Sequence, residues 1–221
     1  MKYIYIENAG DSELRLEGEL YKYLFKVRRH KRGDTIFVRN LRDDYLYRYR
    51  VEEISKKHSI FSLQSKELSI IQADSYLHIG WCIIDNKSIE KVLPTLNEIG
   101  VCKISFIYCD RSQKNFKIDI KRLKRIVISS SQQCGRSKIM QFEILESISE
   151  YFEKYPASSV LDFGGKSISK GDIESILIGC EGGFSEKERS FFQEKSIYGL
   201  DTQMTLKSES AVIAVSSKCL L

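Results

Sequence analysis

The stretch Leu177-Ile178-Gly179-Cys180-Glu181-Gly182-Gly183-Phe184-Ser185-Glu186-Lys187-Glu188 runs an apolar segment into a glycine-rich turn and then into a helix start. Ser185 and Glu188 have the spacing of a capping box, in which hydroxyl and carboxylate satisfy the first free N–H groups of a helix. Glycines at such a junction permit positive φ and let a ligand approach the backbone within hydrogen-bonding distance. The helix start adds free donors. The pattern is neither G-x-G-x-x-G nor a P-loop with its lysine, so dinucleotide and ATP sites lose their usual support. On its own it predicts a strand, a turn and a helix, with or without a ligand.

The same texture extends outward from this point. Ser159-Val160-Leu161 reads as a preceding strand, and the helix from Ser208 to Leu220 turns Val212, Val215 and Cys219 inward. Upstream, the apolar runs Tyr76–Ile84 and Cys102–Cys109 read as buried strands. Ile89, Val92, Leu93, Leu96 and Ile99 recur at helical spacing before the natural cap Gly100, and Lys121–Ser131 is a further helix. Pro94 inside the first of these helices predicts a kink or a late start. Strands alternating with helices argue an α/β domain with a mostly parallel sheet. The N-terminal part differs, with Ile36-Phe37-Val38, the period-two run Tyr45–Val51 and Ile60–Leu63 as short strands of a small barrel or sandwich. The alternating tyrosines 45, 47 and 49 read as core rather than as a base-stacking stripe. Lys66 to Ser75 is the expected linker, dividing the chain into domains 1–70 and 71–221.

Composition bounds the function. The chain has 221 residues, 35 Lys+Arg against 30 Asp+Glu, a net charge of +5 and 42% apolar residues. A chain of this length buries roughly 70% of its unfolded surface, enough for one large or two small domains. Two prolines and 13 glycines exclude collagen-like and low-complexity chains. A charge follows the first few residues, and no run approaches the ~18 apolar residues of a membrane span, so a cytoplasmic protein is expected. Six cysteines without a C-x-x-C pair, beside three histidines, lack zinc spacing and are expected to be reduced thiols, most of them buried, with no metal. Lys26, Arg28, Arg29, Lys31 and Arg32 put five cations into seven residues. Such a run is commonly a solvated face, and in an RNA-modifying protein it is a phosphate contact.

Four ordered segments carry a resemblance. Tyr23-Leu24-Phe25-Lys26-Val27-Arg28-Arg29-His30-Lys31-Arg32-Gly33-Asp34 resembles H-L-x-x-V-L-R-x-x-x-G-D. Glu98-Ile99-Gly100-Val101 resembles E-L-G-V, Gln132-Gln133-Cys134-Gly135-Arg136 resembles E-Q-C/S-G-R, and Ile178–Ser185 resembles I-G-P-E-G-G-F/L-S. The set is similar to the SPOUT-superfamily methyltransferases that act on N3 of one uridine in 16S ribosomal RNA. The departures are Tyr23 for histidine, Pro94-Thr95 for Gln-Lys and Cys180 for proline. Asp201–Ala211 stands where the family reads L-G-x-R-I-L-R-T-E-T-A, with the first Leu-Gly and first Arg replaced and Lys207 at the second Arg.

The resemblance implies an N-terminal PUA-like β-barrel that holds RNA and a C-terminal domain tied in a trefoil knot, whose loops clasp S-adenosylmethionine. It implies cofactor contacts at Ile178, Gly179, Glu181, Gly182, Gly183, Leu200, Thr202 and Leu206. Arg136 would position the uridine, with Glu181 or Glu209 as proton acceptor. Lys26, Arg28, Arg29, Lys31, Arg32, Arg136 and Lys207 would contact RNA of the small ribosomal subunit, and a homodimer would be the working unit. Two other readings are a catalytically weak RNA-binding or ribosome-assembly protein on the same fold, and a SPOUT enzyme for another RNA position.

Overall fold

A computed structural model describes residues 2–112 and 117–221. The chain divides into two compact units, Met1–Gln72 with Ser131–Ile139, and Ala73–Ser130 with Met140–Leu221.

In the first unit, β1 (Ile4–Tyr5), β2 (Glu13–Glu17), β3 (Thr35–Arg39), β4 (Tyr45–Ile54) and β5 (His58–Leu68) form one sheet in the order β1-β3-β4-β5-β2. β1 runs parallel to β3 and the other pairs are antiparallel. A short helix α1 (Gly18–Lys22) and a π-helical turn, Tyr23–Val27, follow β2. Period-two alternation turns Leu14, Leu16, Ile36, Val38, Tyr47, Tyr49, Val51 and Phe61 into one core. The tyrosine stripe is core here. The buried Tyr49 hydroxyl donates to the Asp11 carbonyl at 2.7 Å and accepts from the Gly10 N–H at 2.9 Å. Part of the expected linker is strand: Lys66, Glu67 and Leu68 pair with Tyr47, Leu46 and Tyr45. Gln64–Leu68 are exposed on successive positions, so no alternation marks them.

A boundary in the low seventies is only part of the division. Ser131–Ile139 belongs to the first unit because its backbone finds its partners there. The Lys2 N–H donates to the Gln132 carbonyl at 2.8 Å, the Tyr5 N–H to Gln132 Oε1 at 2.8 Å, and the Tyr3 hydroxyl to the Arg136 carbonyl at 2.8 Å.

The second unit holds β6 (His78–Cys82), α2 (Asn86–Ile99), β7 (Lys103–Ile107), most of α3 (Ile120–Cys134), β8 (Gln141–Leu145) and α4 (Ile148–Lys154). It continues with β9 (Ser159–Ser167), β10 (Ser175–Ile178), α5 (Glu186–Arg189), β11 (Ile197–Gly199) and α6 (Ser208–Leu220). Its sheet is parallel throughout, in the order β11-β9-β10-β6-β7-β8. Asp85 caps α2 by accepting from the Ser88 N–H, and Gly100 closes it at φ 114°. The helix starts at Asn86 and continues through Pro94, so the proline does not delay it. The chain steps from β6 through β7 to β8, then crosses to β9 on the far side of β6, and β10 fills the gap. In open parallel sheets such a reversal marks the crevice where ligands bind, outside the carboxyl ends of the strands. No described helix is long and apolar enough to cross a membrane.

Candidate active site

A bulged stretch of β9 and the loops that follow β10 and β11 enclose one cavity of about 280 Å³. The first loop is the bulge inside β9, Leu161 to Gly165, where the register against β11 shifts; the second contributes Ile178, Gly179, Cys180, Gly183 and Phe184, and the third Gly199, Leu200, Thr202, Met204 and Leu206. Ser208 and Ala211 from the start of α6 complete the wall, with Arg189 of α5.

The glycine-rich loop folds as its sequence predicts. The Gly183 N–H closes a turn on the Cys180 carbonyl at 2.9 Å, with Gly183 at φ 65°. Both halves of the capping box are present: the Ser185 hydroxyl accepts from the Glu188 N–H at 3.1 Å, and Glu188 accepts from the Ser185 N–H at 2.8 Å. Glu188 also receives the Asp110 N–H at 2.7 Å, and the Ser185 hydroxyl donates to Asp110 at 2.6 Å, which fixes the loop to the end of β7.

Two glycines on the other loops are demanded by close approach. A Cβ on Gly165 would stand 2.4 Å from the Tyr198 carbonyl carbon, and one on Gly199 would stand 3.1 Å from the Gly165 carbonyl oxygen. Gly164 and Gly183 have open space where a Cβ would point. Arg189 forms an ion pair with Asp162 and so ties α5 to the first loop. Beneath the cavity the Cys109 and Cys180 sulfurs lie 3.5 Å apart. The Cys109 sulfur, and then burial, push the Cys180 thiol up, so it faces the cavity uncharged at neutral pH.

Of the cofactor residues predicted from sequence, Ile178, Gly179, Gly183, Leu200, Thr202 and Leu206 line the cavity. Glu181 and Gly182 lie exposed outside its lining, and the Gly182 carbonyl accepts instead from the Arg111 guanidinium at 2.6 Å. Glu209 is half-buried one residue beyond Ser208, and its Oε2 is buried with no hydrogen-bond partner. Lys207 is the exposed N-cap residue of α6. Arg136 is buried within the first unit, its Nε donating to the Lys138 carbonyl at 3.0 Å. The five cations between Lys26 and Arg32 are exposed in that unit. Sequence reasoning missed the first loop, although Gly164-Gly165 closely following the apolar Ser159–Leu161 strand was a signal of the same kind. No cluster of metal-ligating side chains occurs among the described residues.

The cavity suits S-adenosylmethionine in its chemistry: Leu161, Ile178, Leu200 and Leu206 supply apolar walls for a purine, and the loop backbones supply polar groups. Two family models match the chain, an RNA methyltransferase domain over residues 72–219 and an RNA methyltransferase PUA domain over 16–64. The chain is 43% identical over 98% of both lengths to ribosomal RNA small subunit methyltransferase E of Helicobacter pylori. It is 31% identical to the protein of that name from Buchnera aphidicola, covering 97% of this chain and 91% of the relative. Among solved structures, the Neisseria gonorrhoeae ribosomal RNA small subunit methyltransferase E bound to S-adenosylmethionine superposes with a TM-score of 0.82 at 18% identity, covering 98% of this chain and 95% of the other. At that identity the likeness speaks for the fold.

Proposed function

The chain belongs to the ribosomal RNA small subunit methyltransferase E family, and from that premise we propose that it transfers a methyl group from S-adenosylmethionine to N3 of one uridine in 16S ribosomal RNA. The observation that carries the reading is the closure of the β9 bulge and the loops after the neighbouring strands β10 and β11 on a single cavity.

When bound, S-adenosylmethionine supplies an electrophilic methyl group on a sulfonium. The protein's share is then alignment, since holding two reactants in an attack geometry removes much of the barrier. Leu161, Ile178, Leu200 and Leu206 would hold the cofactor's purine, and the backbone groups of Gly179, Gly183 and Thr202 would hold its polar parts. N3 of uridine is blocked by pairing, so the base must be unpaired or extruded. In this reading Glu209, whose Oε2 is unsatisfied beside the cavity wall, takes the N3 proton. Glu181 on the exposed turn is the second candidate. Arg136 and Lys207 position RNA, and the working unit is a cytoplasmic homodimer in which a second copy completes the RNA site.

A catalytically weak assembly protein would follow from a third loop that no longer closes the cavity. Leu200, Thr202, Met204 and Leu206 do line it, which supports the enzyme. The test is a nucleoside digest of 16S RNA from a deletion strain, before and after incubation of its 30S subunits with the protein and S-adenosylmethionine. The expected result is 3-methyluridine absent before and present after. A different missing methyl nucleoside would redirect the activity to another RNA position.

A further inference from the structure

The first unit contains a second cavity, of about 150 Å³, remote in sequence from every loop of the methyl-donor site. Tyr3, Leu24 and Ile36 give it a buried apolar floor, and Lys2, Arg28 and Phe37 stand on its exposed rim. Phe37 leaves 44% of its surface exposed on a strand whose neighbours Ile36 and Val38 are buried. The backbone beside it is unusual. Tyr23–Val27 is wound as a π-helical turn in which the Arg28 N–H reaches the Tyr23 carbonyl at 2.9 Å, and Arg29 sits at φ 59°, outside the region that side chains favour. The His30 N–H then closes on the Leu24 carbonyl at 3.1 Å. Departures of this kind concentrate at functional sites.

Arg28 lines the cavity, and Lys26, Arg29, Lys31 and Arg32 lie within four residues of Arg28, five cations in seven positions. The side chains of Lys26, Arg28, Arg29, Lys31 and Arg32 form no ion pair among the described residues, while the neighbouring Asp34 carboxylate accepts from the Lys31 backbone N–H at 2.8 Å. A dense cluster of cations without ion pairs suits a polyanion, and an apolar floor with an aromatic side chain on its rim suits a ring.

We propose that this cleft binds one unstacked base of a single-stranded RNA segment, the ring lying against Phe37 over the Leu24 and Ile36 floor while the flanking phosphates meet Arg28, Arg29 and their neighbours. The proposal rests on the RNA-methyltransferase reading and adds to it a site that recognises strandedness. A track of phosphate contacts binds duplex and single strand alike, whereas stacking on an aromatic side chain requires a free base face.

The test is fluorescence anisotropy of the full chain with a labelled uridine-rich strand of about ten nucleotides, within the usual footprint of a single-strand site, and with the corresponding duplex. The wild-type protein prefers the single strand. Phe37→Ala weakens single-strand binding roughly five- to a hundredfold and leaves duplex binding alone, while Phe37→Tyr stays within about twofold because the ring face is kept. Arg28→Ala lowers the slope of log K against log salt by about one unit or less. The thermal shift given by S-adenosylmethionine, unchanged in all three variants, reports that they are folded. Wild-type single-strand affinity in Phe37→Ala overturns the base cleft while RNA binding stands. Equal losses on strand and duplex overturn it in favour of phosphate contact alone. A wild-type protein that binds S-adenosylmethionine but neither RNA overturns the RNA reading beneath it.

Discussion

The Trp81 indole N–H donates to the Ser208 hydroxyl at 2.9 Å, and that hydroxyl donates onward to the Gly179 carbonyl at 2.6 Å. One side chain thereby joins β6, the glycine-rich loop and the first turn of α6, and it also lines the donor cavity. Ser208→Ala leaves a buried indole N–H without its acceptor, at a cost of about 1–3 kcal/mol. The expected outcome is a lower melting temperature together with weaker S-adenosylmethionine binding by calorimetry. A variant matching wild type in both would show that the relay does not organise the loop.

The contact between Gly165 and Tyr198 separates steric from conformational demand. Gly165→Ala drives a Cβ into backbone, so the first and third loops must part, and donor binding is expected to be lost. Gly164→Ala meets open space but a left-handed backbone at φ 73°, with an expected cost of about 1–2 kcal/mol and donor binding largely kept. Equal loss of donor affinity in the two variants would remove the close approach as the reason for Gly-Gly.

Arg189 and Asp162 close the cavity wall across two loops. The arginine is nearly half exposed, so its net worth to stability is below about 1 kcal/mol. Arg189→Ala is therefore expected to leave the melting temperature within a few degrees of wild type and to raise the Kd for S-adenosylmethionine severalfold. A large loss of stability with unaltered Kd would make the pair structural.

His78 begins β6 buried, with the Ser105 hydroxyl 2.6 Å from Nε2 and the Ser175 hydroxyl 3.0 Å from Nδ1. Burial, and then the Lys103 ammonium, hold it down at about 4 from an ordinary 6.5. Between those values the unfolded chain binds more protons than the folded one, so stability falls as pH drops through that window. The melting temperature is expected to decline from about pH 6.5 to 4, and His78→Gln to flatten that decline on a lower baseline. Burial alone would raise Glu143, but Lys154, Ser105, Tyr155 and Lys103 outweigh it and hold the carboxyl at about 2, which puts its own contribution at lower pH. An unaltered slope in His78→Gln would exclude the histidine as the source.

Local chemistry made the second unit legible in the sequence. The capping box at Ser185 and Glu188, the Gly100 cap and the apolar strand runs each act within a few residues, where side-chain type and backbone preference coincide. Six of the eight predicted donor contacts line the cavity for the same reason, since they belong to two contiguous loops. The first loop was missed because Asp162-Phe163-Gly164-Gly165 has no motif and acquires its role only when β11 lies beside β9. Arg136 was read through a local motif, yet its surroundings are set by Tyr3, 133 residues away, a separation that leaves no periodic trace. The far end of β5 was illegible because its side chains face solvent on successive positions, so pairing with β4 rests on backbone alone.

The assignment of Ser131–Ile139 to the first unit bears on how the molecule is made. Synthesis runs from the N-terminus at about 5–20 residues per second, and domains generally fold as they emerge. Here the leading unit has its sheet early but lacks the segment that takes the N–H groups of Lys2 and Tyr5 and the hydroxyl of Tyr3 until Ile139 has been translated. By then β6, α2, β7 and α3 have also been translated, so the last step of the smaller unit overlaps with assembly of the larger one. A released fragment ending at residue 75 is accordingly expected to carry a five-stranded sheet with an unfinished edge, and no single cut in the gene separates the two units cleanly.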